Sequence, residues 1–65
     1  MEKFEIFKRT IIRNNKIYEF IVEEIHFKNV KRTKKMYSIN KNGECILHTS
    51  LWQTWRKYRR KIEGV

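Results

Sequence analysis

Residues 36–64 read MYSINKNGECILHTSLWQTWRKYRRKIEG, and within them the hydrophobic period changes once. Over residues 36–41, Met36, Ser38 and Asn40 alternate with Tyr37, Ile39 and Lys41, which is the period of a strand. Asn42-Gly43 follows, and a type I′ turn needs positive φ at both of its central residues. Residues 44–48, ECILH, close the hairpin. Beyond Thr49 the period lengthens. Leu51, Trp55, Tyr58 and Ile62 recur at spacings of four, three and four, and they predict a helix over residues 50–63. Ser50 is the expected N-cap. Trp52 lies on the border of the apolar stripe. Arg56, Lys57, Arg60 and Lys61 occupy the opposite arc, and Arg59 lies beside Trp52. Gly64 stands where a helix end favours positive φ, and bases in the last turns suit the negative end of the helix dipole.

Working back toward the N-terminus, residues 3–13, KFEIFKRTIIR, alternate as a strand. Strict alternation puts Phe4, Ile6 and Ile12 on one face and Phe7 and Ile11 on the other. Asn14-Asn15-Lys16 reads as a turn, because Asn tolerates left-handed backbone angles. Residues 17–27, IYEFIVEEIHF, are β-branched and aromatic, which favours a strand paired back in a hairpin. A helix is the rival here, since Ile17, Tyr18, Ile21, Val22 and Ile25 cluster on a helical wheel opposite Glu19, Glu23 and His26. Residues 28–35 hold one apolar residue, Val30, and read as an exposed edge or loop. No proline interrupts any strand. The expected fold is α+β: a small antiparallel β-meander of two hairpins, about four strands, packed by one C-terminal α-helix. Residues 1–65 form a single domain in this reading, and the helix covers one face of the sheet.

A chain of 65 residues with 40% hydrophobic content builds one thin core and leaves little room for a walled-off catalytic centre. The net charge is +9, from 16 Lys plus Arg against 7 Glu. Residues 1–27 hold five bases and five acids, whereas residues 28–61 hold eleven bases and only Glu44. Two runs carry the excess: five bases in eight positions over 28–35, and five in six over 56–61. Like charges this close repel one another, and a polyanionic partner would relieve them. No apolar run is long enough for a membrane helix or a signal peptide, and the single Cys45 excludes an internal disulfide. A cytoplasmic protein is expected.

Candidate chemistry is sparse. Cys45-x-x-His48 has the spacing of half a zinc site, but His26 is the only other candidate ligand besides carboxylates, so no metal is expected. Cys45 is expected to be a small packed hydrophobe and His48 a surface residue. No base and orienting carboxylate accompany a nucleophile, adjacent Glu23 and Glu24 point to opposite faces of a strand, and the two glycines lie apart. The chain is therefore not expected to be an enzyme or to carry a cofactor. Membrane binding is disfavoured because the helix's apolar stripe is used on the sheet.

What remains is a nucleic-acid-binding surface, in particular a DNA-binding one. Lys28, Lys31, Arg32, Lys34, Lys35 and Lys41 would grip phosphates from the loop and second hairpin. Arg56, Lys57, Arg59, Arg60 and Lys61 would extend the patch along the helix, and Tyr37 and Trp52 would stack on bases. The alternative is a small adaptor or inhibitor, of viral or mobile-element type, docking on an acidic protein surface; exposed strand edges would also permit strand addition or homodimerisation. No family signature is present, but the expected layout resembles small meander-plus-helix DNA binders such as integrase arm-binding domains and small single-strand binders of coactivator type.

Overall fold

The computed structural model describes residues 1–64. Four strands and one helix follow in chain order: β1 (Glu2–Arg13), β2 (Lys16–His26), β3 (Thr33–Lys41), β4 (Glu44–Thr49) and α1 (Trp52–Glu63). The strands form one antiparallel sheet in the order β1-β2-β3-β4, packed by the C-terminal helix. The α+β meander expected from the sequence is the fold observed. Residues 17–27 are strand over nearly their whole length, which removes the helical rival.

Both tight turns use the residues their geometry demands. Asn14 and Asn15 have φ of 51° and 63°, and Asn42 and Gly43 have φ of 52° and 83°. These are the positive angles of type I′ turns, whose twist matches that of the flanking strands. Asn42 also ties the two hairpins together. Its backbone N–H donates to the Ile17 carbonyl at 2.8 Å, and its side-chain oxygen accepts from the Ile17 N–H at 3.0 Å.

The core lies between the helix and the middle strands. Phe20 and Ile39 are fully buried, paired side by side across β2 and β3, with Val22, Tyr37 and Trp55 around them. Trp55 is the keystone from the helix. Its indole N–H donates to the Ser38 carbonyl at 2.9 Å, and its ring meets Tyr37, Phe20 and Phe7 at centroid distances of 5.5, 6.5 and 6.2 Å. A buried indole needs that hydrogen-bond partner, and edge-to-face rings add to its packing.

Four expectations need correction. First, the faces of β1 do not alternate throughout. The register with β2 shifts between Glu5 and Phe7, so Ile6 is an extra residue. A bulge of this kind places two successive residues on the same side. Ile6 and Phe7 both face the helix, and Ile12 is turned to the uncovered side. Second, Thr33, Lys34 and Lys35 are not loop but the start of β3, paired with His26, Ile25 and Glu24. They form an exposed edge beyond the end of β4, as the edge reading had it, and residues 27–32 are irregular.

Third, the helix is rolled relative to its expected stripe. Leu51 and Tyr58 are 63% and 50% exposed, while Trp55 and Ile62 face the sheet and Arg59 fills the remaining inward position. The Arg59 guanidinium lies 5.1 to 5.5 Å from the rings of Phe7, Phe20 and Trp55, and its Nε donates to Glu63 at 2.9 Å. A flat cation stacks on a crowded aromatic floor while its charge is met from its own helix. The N-cap is Leu51 rather than Ser50, with no side-chain cap; the Leu51 N–H is held instead by the Thr49 hydroxyl at 3.1 Å. The C-terminal expectation holds: Gly64 has φ 77° and donates to the Arg60 carbonyl at 3.0 Å.

Fourth, Cys45 is exposed rather than packed. It sits opposite Asn40 on the edge strand β4, beside a register shift, on the sheet face that α1 does not cover. No second layer exists there to bury it.

Candidate nucleic-acid interface

The solvent side of α1 is built by helical geometry alone. Residues four apart stack along a helix face, so Trp52, Arg56 and Arg60 form one row and Gln53, Lys57 and Lys61 form the next. Together these six line a shallow groove of ≈ 380 Å³. Four of the six are bases and none is an acid. The ion pairs among the described residues are Lys8–Glu19 and Arg59–Glu63, and His26 is hydrogen-bonded to Glu24, so the four outward bases are left to solvent or a ligand. Arg56 stacks over the Trp52 ring at 5.2 Å, and Lys61 lies 5.9 Å from the Tyr58 ring. Trp52, 48% exposed, closes the N-terminal end of the groove.

Trp52 also lines a second cleft, of ≈ 270 Å³, on the sheet side of the helix start. Its walls include Ile6, Phe7, Tyr37 and Trp55, with the cations of Lys35 and Arg59. Lys35 therefore joins the helix group, because β3 places it on the helix-facing side two residues before Tyr37.

The other candidate residues divide by position. Lys28, Lys31 and Arg32 lie in the exposed segment at the far end of the sheet. Lys34 alternates with Lys35 and so turns to the uncovered face, opposite Ile25. Lys41 stands at the other end of β3, between Tyr18 and Glu44 in register. Tyr37 is buried against Trp55 and serves as core, although it reaches the cleft wall. Arg59 is turned inward and paired. Periodicity placed Arg59 beside Trp52 at the border of the apolar stripe, and its charge alone grouped it with the phosphate-gripping bases. Counting charge as a solvent marker does not register an arginine packed on rings. Ile6 and Phe7 were not anticipated as site residues; the bulge that brings them together leaves no signal in the alternation.

Cys45, His48 and His26 do not converge. His48 Nδ1 is 3.0 Å from the Ser38 hydroxyl, and His26 Nε2 is 2.6 Å from Glu24. No group of three or more potential metal ligands occurs among the described residues. None of the helices there is long and apolar enough to cross a membrane.

No family model, no curated protein and no solved structure matches this chain. The layout likeness to small DNA binders thus carries no residue-level argument, and function rests on the surface itself.

Proposed function

We propose that the protein is a nucleic-acid-binding module that grips phosphates with the outer face of α1. The supporting observation is the groove with four bases and no acid, closed at one end by a half-exposed tryptophan. Cations at i, i+4 spacing meet phosphates, and an adjoining ring meets bases or sugars. Arg56, Lys57, Arg60 and Lys61 make the main contacts, with Lys35 at the helix start. Lys28, Lys31, Arg32, Lys34 and Lys41 supply a longer-range field from the rest of the sheet. The chain acts by binding, in the cytoplasm, without a cofactor.

Salt dependence tests this reading. Four or five phosphate contacts give a slope of log K against log salt of about −3 to −5. Replacing Arg56, Lys57 and Arg60 with Ala flattens the slope by up to about three units, whereas replacing Lys3, Lys8 and Lys16 changes it little. The two triple variants lose the same charge, so equal weakening would mean unlocalised attraction rather than a surface. If the parent binds no nucleic acid at about 50 mM salt, the basic face serves an acidic protein surface instead, with the unpaired edge of β1 available for strand addition or pairing with a second copy.

A further inference from the structure

We propose that the aromatic cleft beside Trp52 receives one unstacked nucleobase, which makes single-stranded nucleic acid the ligand of this surface. This rests on the nucleic-acid reading above and names the substrate class for it. A single indole separates two dissimilar spaces. On one side is the basic groove, where Arg56 stacks over the Trp52 ring at 5.2 Å. On the other is the cleft of ≈ 270 Å³ walled by Ile6, Phe7 and Tyr37. The cleft is shallow and open to solvent, so a base would stack against its exposed rings rather than be enclosed.

The lining selects the chemistry. Phe7 and Trp52 supply exposed ring surface over a floor of buried Tyr37 and Trp55, and Lys35 and Arg59 supply positive charge. An aromatic cage for a cation would be opposed by those two charges. A flat ring carried on an anionic chain satisfies both features. Every base has a face that can stack on a ring, so stacking against Trp52 and Phe7 discriminates little between bases. Binding should then tolerate any sequence. The geometry also orders the chain: phosphates follow the Trp52–Arg56–Arg60 row, and a base at the end of that row turns past Trp52 into the cleft. A base can do so only when it is unpaired, because duplex bases are held in the stack.

The decisive titration compares three probes of equal length at about 50 mM salt: oligothymidylate, an abasic phosphodiester chain and a blunt duplex. Oligothymidylate should bind about tenfold tighter than the abasic chain and quench the tryptophan emission of the unaltered protein, since base stacking on an aromatic contributes on that scale. Trp52→Ala should remove most of that difference, with a smaller loss of abasic binding because Arg56 loses the ring it stacks on, and Trp52→Phe should restore most of both. Trp52 is half-exposed and outside the core, and the circular dichroism of each variant checks its fold. Quenching of the unaltered protein gives a readout that needs no variant. Equal affinity for oligothymidylate and the abasic chain, or preference for the duplex with Trp52→Ala indifferent, overturns the single-strand inference and leaves phosphate binding standing. Binding to none of the three overturns both.

Discussion

The two halves of the sheet share β1, β2 and β3, with β4 only in the half toward the tight turns, and they differ in packing. Toward the Asn14 and Asn42 turns, α1 lies over the sheet, and Phe20, Ile39, Val22 and Trp55 are buried. At the opposite end, the start of β1, the end of β2 and the start of β3 run on past the helix. There Phe4, Phe27 and Val30 are exposed and Ile25, between Lys3 and Lys34 in register, is buried outside the core cluster, while Phe4 meets the edge of His26 at 5.0 Å. The length mismatch explains the difference. A 12-residue helix is roughly 18 Å long, whereas a 12-residue strand spans about 40 Å. The helix can cover only about half of the sheet, and the molecule is correspondingly elongated, 44 × 21 × 16 Å. Strand-forming residues pair wherever they are placed, but a core needs a second layer. The basic residues divide along the same line, with one group on the rigid helix and another at the uncovered tip.

The largest expected effect tests the covered half. Trp55→Ala should cost about 3–5 kcal/mol, which approaches the whole stability of so small a domain. Loss of the native far-ultraviolet circular dichroism at 25 °C is the expected result. A Trp55→Ala variant that melts like the parent would mean that the helix is not the second layer.

Arg59 and Arg60 sharpen the contrast between the inward and outward sides of one helix. Arg59→Ala should lower stability by about 1–2 kcal/mol through lost ring contacts and stem packing, with little change in the salt dependence of binding. Arg60→Ala should shift stability by no more than about 0.5 kcal/mol and flatten the salt slope by about one unit. Chemical denaturation and salt titration of the two variants would reverse this order if the roll of the helix were different.

The smallest effect belongs to the uncovered arm. Phe4→Ala should cost about 0.2–1 kcal/mol, the scale of a cross-strand pair. A loss as large as that of Trp55→Ala would show that the arm has a core of its own.

Local chemistry was legible in the residues. Asn14-Asn15 and Asn42-Gly43 announced both tight turns, because positive φ is tolerated by few residue types. Gly64 marked the helix end for the same reason. The charge split between residues 1–27 and 28–61 was plain from counting. Alternation failed at Ile6, since one extra residue changes every later side chain's face and nothing in the composition signals the insertion. The wheel's stripe failed at Tyr58, and reading charge as a mark of exposure failed at Arg59, which the wheel had set beside Trp52. A guanidinium plane packs on rings as well as it faces water, and Glu63 one turn on neutralises it.

By itself, then, the sequence determined the turns, the C-terminal helix and the half of the chain that carries the positive charge, and favoured strand over helix for residues 17–27, all properties of short-range sterics and counting. Only the tertiary structure decided which side of α1 meets the sheet, that Ile6 and Phe7 share a face, and that Lys35 joins Trp52 while Lys34 turns away. These are outcomes of packing, in which residues distant in the chain compete for one surface, and burial of Trp55 against Ser38, Phe20 and Tyr37 outweighs the preferences of Leu51 and Tyr58 for the same place.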